Sequence, residues 1–237
     1  MSSDTVTTTD SAWIAGLLQA GDSYYPTGGY AHSFGLEGLV QEGTVRDRET
    51  LRAFLDLAVL PALQHAELPL AAHAWRALGV PHWEAVGDLC RLSAALKAPR
   101  ELRTASEAIG RQRAELAASL HDSPLARDFS ARATAGAWPG SSAVSAALEG
   151  RVLGAPLPAV LAGLLYSNVA AVLAAAMKIL RIGQNATQAL LTAALSRAPQ
   201  LVAAAEAIPL DRIGWSNPWL DIASARHETA DSRLFIS

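Results

Sequence analysis

Apolar residues recur at helical spacing almost from one end of this chain to the other, and prolines mark where one helix stops and the next begins. No alternating run of β-branched residues supports a sheet. The spacing predicts a short helix opened by Ser11 and carrying Trp13, Leu17 and Leu18, broken by the Gly-rich stretch 21–29 with Pro26. Helices over 33–41 and 47–60 follow, the second with Asp47 as N-cap and Leu51, Phe54, Leu55 and Val59 on one face. Pro61 is expected to kink or restart that helix. Residues 63–78 and 82–96 read as arms of a helical hairpin, with Gly79 and Pro81 between them. Pro99 starts a longer helix to Leu120, Asp122-Ser123-Pro124 starts another, and 138–142 is an irregular link. Helices over 157–182, 184–205 and 215–228 complete the reading. The expectation is an all-α, single-domain bundle of about ten helices over 11–228, with a tail at 1–10 and an arm at 229–237.

Composition supports this and narrows function. The chain has 237 residues, 51% hydrophobic and only 6% aromatic, so Ala and Leu carry the apolar content and allow thin, closely packed helices. The formal charge is -3 and the basic residues form no stripe, which argues against a nucleic-acid partner. The lone Cys90 sits in an apolar helical stretch and reads as an inert buried thiol. Residues 1–10 lack the basic and apolar regions of a secretory signal, so the expectation is a frayed tail on a cytoplasmic protein. Residues 152–177 carry no charge and are long enough to span a bilayer. Tyr166, Ser167 and Asn168 in the middle, and Pro156 and Pro158 at the start, favour instead a buried helix of a water-soluble fold.

Catalytic motifs are sparse. No P-loop pattern exists, and the two lysines, Lys97 and Lys178, follow no Gly-rich loop. The histidines, His32, His65, His73, His82, His121 and His227, form no zinc-binding pattern, so no resident metal or tightly bound cofactor is expected. His32 beside Ser33 lacks the first glycine of a nucleophile elbow. A small helical hydrolase using His32 and Ser33, a thiol enzyme built on Cys90, and a membrane-associated helical adaptor are the alternatives.

Four segments are too specific for generic loop or helix composition. The first runs Asp22-Ser23-Tyr24-Tyr25-Pro26-Thr27-Gly28-Gly29-Tyr30-Ala31-His32-Ser33-Phe34-Gly35-Leu36-Glu37. Pro26 fixes one φ, the Gly28-Gly29 pair permits left-handed or very close backbone, and His32 or Ser33 can cap the helix through Leu36. The second sets Arg103, Ser106 and Gly110 on one helical face. The third joins Leu164-Leu165-Tyr166-Ser167 to Gly183-Gln184, and the fourth is the ending from Asp221 to Phe235. Each alone would pass as a tight turn, helix packing or a tail docked on its own domain. Together they resemble the urease accessory protein UreF family, whose patterns are D-S-x-x-P-x-G-G-[FY]-x-H-S-x-G-L-E, R-x-x-S-x-x-x-G and D-I-A-S-M-R-H-E-x-x-x-S-R-L-F. One segment departs: Ala137-Trp138-Pro139-Gly140-Ser141 stands where the family has H-[FY]-P-V-x-x-G.

The resemblance implies an all-helical homodimer that catalyses nothing. Such a protein binds the accessory protein UreD (also called UreH) and the GTPase UreG, and helps deliver nickel to the urease apoprotein, with nickel in transit through the assembly. The positions it marks for partner contact are Pro26, Gly28, Gly29, His32, Ser33, Gly35 and Glu37, then Arg103, Ser106 and Gly110, then Tyr166 and Gln184. The ending adds Arg226, His227, Glu228, Arg233, Leu234 and Phe235. His32 and Glu37 are expected as polar groups on a ridge facing UreG or the second copy. The small residues near Tyr166 could equally mark the dimer seam. The arm is expected to order on a partner, burying Leu234 and Phe235 while Arg233 makes charge-assisted bonds.

Overall fold

A computed structural model describes residues 11–29, 32–228 and 233–235. Among them, eleven helices and no strand are found. They are α1 (Ala12–Gly21), α2 (Leu36–Gln41), α3 (48–77), α4 (Trp83–Ala95), α5 (Arg100–Leu120), α6 (Pro124–Thr134) and α7 (Ser142–Leu153). After these come α8 (Leu157–Ile179), α9 (Gln184–Leu195), α10 (Ala198–Glu206), a 3-10 turn at Leu210–Arg212, and α11 (Pro218–His227).

Local chemistry sets most boundaries. Asp47 forms a capping box with Thr50, accepting its amide at 2.9 Å. His82, Ser123, Ser141 and Asn217 accept the amides that α4, α6, α7 and α11 leave unpaired. Two expected boundaries move. Helix α2 begins at Leu36 rather than residue 33, because Phe34 and Gly35 are left-handed, with φ of 56° and 83°. Helix α11 begins at Pro218 rather than 215, since Asn217 is the cap and Pro218 suits the first turn.

Helical backbone runs on through Pro61, so Pro61 does not restart α3. The helix widens into π turns at Leu55–Val59 and Leu63–Glu67, just ahead of Pro61 and Pro69. Widening relieves the clash between a proline ring and the carbonyl four residues back. For Pro69 that carbonyl belongs to His65, and it accepts the Gly214 amide at 2.9 Å. The single helix expected over 184–205 is two, α9 and α10, because Pro199 opens a new first turn.

Helix α7, absent from the sequence reading, is the centre of the molecule. It packs against α1, α3, α4, α5, α6 and α8, and every residue from Ala143 to Gly150 is buried. Helix α8 is long and apolar enough to cross a membrane, yet half of its most apolar window is buried in the fold. It packs on α1, α2, α3, α7, α9 and α10, as the core helix of a soluble protein does. Most of the buried apolar residues form one continuous core that includes residues from Leu36 to Ala223.

Candidate functional site at the junction of the chain ends

The first segment splits between two places. Tyr25 turns inward, and its hydroxyl donates to Glu149 Oε1 at 2.5 Å. Glu149 is 2% exposed, and Arg113 Nη1 donates to its other oxygen at 2.6 Å. Burial, then the Glu149 charge, push the Tyr25 phenol well above its ordinary value, so it stays protonated as a donor. Pro26, Gly28 and Gly29 form the turn outside this network, Gly28 in the left-handed region at φ 82°. Tyr30 and Ala31 lie outside the described residues.

His32 and Ser33 are buried. Burial lowers the basicity of His32 and the Glu101 charge opposes this. Ser33 Oγ accepts the Glu37 amide at 3.2 Å, the capping role expected of this pair. Gly35 follows in a conformation that side chains rarely adopt, and a Cβ there would lie 2.5 Å from Ser224 Oγ. A Cβ on Gly38 would lie 2.6 Å from the Ala223 carbonyl oxygen. The first and last segments are therefore packed backbone to backbone, α2 on α11.

Glu37 is the hub of that contact. Its Oε1 accepts the Leu234 amide at 2.8 Å, and its Oε2 accepts the Phe235 amide at 2.9 Å. The same Oε2 lies 2.9 Å from His227 Nε2. The other imidazole nitrogen is 3.1 Å from Glu101 Oε2, and Arg233 donates to Glu101 Oε1 at 2.7 Å. With carboxylates at both ring nitrogens of His227, both bonds form only when each nitrogen carries hydrogen. Glu37 and Glu101 thus share the His227 ring, and Arg233 closes the set with a charge-assisted bond to Glu101.

Nearby, Arg226 pairs with Glu42 at 3.0 Å and Glu228 with Arg100. Phe235 is 5% exposed, with Lys178 Nζ 5.2 Å from its ring centre, whereas Leu234 is 62% exposed. Residues 233–235 are thus held by their own domain, and Glu37 is an internal anchor rather than a ridge group. Residues 229–232 and 236–237 of the expected arm lie outside the described residues.

Arg103, Ser106 and Gly110 bring α5 against the start of α7. Arg103 Nη1 donates to the Lys97 and Ala98 carbonyls at 2.9 and 3.2 Å, closing the turn into α5. Ser106 Oγ lies 3.1 Å from Ser142 Oγ. A Cβ on Gly110 would sit 2.4 Å from the Ser141 nitrogen, and one on Gly140 would sit 2.0 Å from the Glu107 carbonyl oxygen. Trp138, in the departing segment, is buried and stacks on Trp83 at 6.2 Å and 17°.

Tyr166 is exposed on α8 beside a cavity of about 330 Å³ that Tyr25, Phe34, Arg113 and Asn168 also line. Gln184, the first residue of α9, is exposed away from the junction. Phe34 and Asn168 also line a second, apolar groove of about 160 Å³ beside α11. Sequence reasoning missed Glu101, Tyr25, Arg113 and Glu149. Tyr25 had a signal, since it stands inside the first segment, and Glu101 lies two positions ahead of Arg103, where the second segment begins.

Nothing in this arrangement resembles a reaction centre. Among the described residues no group of three histidine, cysteine or carboxylate side chains could hold a metal. Burial pushes the Cys90 thiol up to about 12, far from a reactive thiolate. Ser33 is fully buried.

A sequence model of the UreF family matches residues 45–195. Three relatives, each named "Urease accessory protein UreF", are similar over nearly the whole chain. That of Arthrobacter sp. (strain FB24) is 30% identical over 93% of this chain and 96% of its own length. That of Kocuria rhizophila is 30% identical over 95% and 97%, and that of Bacillus sp. (strain TB-90) 27% identical over 94% and 99%. These relatives are named as accessory proteins and not as enzymes. On family match, relatives and an all-helical fold alike, this chain belongs to the UreF family of urease accessory proteins.

Proposed function

We propose that this chain acts in the cytoplasm as a homodimeric scaffold in urease maturation, binding UreD and the GTPase UreG and positioning them on the urease apoprotein for GTP-dependent nickel delivery. Nickel is cargo of the assembly and no resident cofactor of this chain. The observation that carries the reading is the Glu37 anchor. It draws the two most distinctive segments of the sequence, nearly 200 residues apart, into one rigid junction. A junction so fixed presents Leu234 outward from a backbone pinned on both sides, a preorganised anchor for a partner.

Leu234 offers the cleaner test, because its side chain is exposed while Phe235 holds the arm down. Leu234→Glu is expected to keep the melting temperature within a degree or two. It should weaken co-elution with UreD by about tenfold or more, as loss of an interface anchor does. Retention of UreD at wild-type affinity would remove the arm from that interface.

A further inference from the structure

Helix α8 is uncharged nearly from end to end, yet half of its most apolar window is left uncovered by the fold. Tyr166 and Met177, on one outer face of it, are 40% and 41% exposed, with the half-buried Ala170 and Ala174 between them. Helix α1 continues the patch. It packs on α8, and a Cβ on Gly21 would lie 3.7 Å from the Tyr166 ring, so the end of α1 lies against that outer face. Leu18 and Ile14, at helical spacing before Gly21, are 71% and 44% exposed. No charged residue occurs over Ala12–Gly21 or 157–177, and Asp22 and Lys178 stand at the helix ends. Helix α8 is about 34 Å long and α1 about 15 Å, each about 10 Å wide. That footprint of roughly 500 Å² exceeds the roughly 400 Å² per side of an incidental contact and approaches the roughly 800 Å² a stable pair buries on each partner.

An apolar face of this size marks an interaction surface, and charge decides what covers it. On the junction face, Trp219, Ile222 and Arg226 share one side of α11, and Arg233 precedes the exposed Leu234. A two-fold axis there would set arginines against the same arginines, so that face suits a different protein. The face of α8 and α1 meets no such repulsion from its own image. We propose that α8, flanked by α1, is the surface on which two copies of this chain pair about a two-fold axis, burying Leu18, Tyr166 and Met177 of both. The inference rests on the scaffold reading and deepens its homodimer. Helix α11, packed on α2 and α5, stays open in each copy for a partner protein.

The test is light scattering on the full chain alone, where the wild type is expected to be a dimer at tens of micromolar. Leu18→Glu combined with Tyr166→Glu brings carboxylates from both copies into the seam. It is expected to raise the dissociation constant about a hundredfold or more, leaving a monomer of unchanged helical ellipticity. Leu18→Glu alone, at the more exposed site, is the second variant and should weaken the dimer about tenfold. Trp219→Glu, on the junction face, should stay dimeric. A wild-type monomer, a double variant that stays dimeric, or loss of the dimer in Trp219→Glu would overturn the seam. A dimer that ignores Leu18 and Tyr166 leaves the scaffold reading standing. Failure of the scaffold would show instead as absent co-elution with UreD and UreG.

Discussion

Glu37→Gln should destabilise the fold by about 3 kcal/mol and free the C-terminal arm, although the substitution barely changes shape. The carboxylate accepts three bonds, from the Leu234 and Phe235 amides and from His227. A carboxamide keeps one accepting oxygen and turns a donor toward groups that are themselves donors. The Glu37 side chain is buried, so the stranded amides and the His227 ring have no water to turn to. For a chain of this length the loss corresponds to roughly 10 °C in melting temperature. Arg233 reports the release, since in the intact protein it is paired to Glu101. Trypsin should cut after Arg233 many times faster in the variant. A wild-type melting temperature with unchanged cleavage would mean that the carboxylate does not hold the arm.

Gly110→Ala is expected to be nearly as damaging for a different reason. The added methyl would lie 2.4 to 2.6 Å from the backbone of Ser141, which cannot rotate away as a side chain can. Helices α5 and α7 would have to separate along the closest approach at the centre of the molecule. Overpacking of this kind costs about 3 kcal/mol, visible in urea or thermal unfolding. Gly163→Ala is the control. It lies within α8 with nothing inside 4 Å of the added carbon, and should stabilise by about 0.5 kcal/mol. Equal effects of the two substitutions would contradict the close-packing account.

The parts of the fold that could be read in the sequence were those governed by local chemistry. Asp47 with Thr50, Ser123 before Pro124, and Gly79 with Pro81 announce their helix ends through side-chain caps and restricted φ. Pro61 misled because a π turn can absorb a proline, and at Pro69 the same widening leaves the His65 carbonyl to a tertiary partner, the Gly214 amide. Helix α7 was invisible for a plainer reason. Buried on all sides from Ala143 to Gly150, it has no polar stripe from which a period could be read.

The candidate site was legible as motifs and illegible as geometry. The spacing of Asp22 to Glu37 and of Asp221 to Phe235 pointed to two unusual segments. Nothing local says that Gly38 admits the Ala223 carbonyl or that Glu37 accepts the backbone of Leu234 and Phe235. The same holds for Arg103, Ser106 and Gly110. Their shared face was readable, and its use for the approach of α7 became visible only in three dimensions.

The most direct measurement of the central claim is size-exclusion chromatography with light scattering on this chain mixed with its own UreD and UreG, with GTP and nickel present and absent. The account predicts a defined complex containing two copies of this chain. A lone species that ignores both partners under every condition would contradict it.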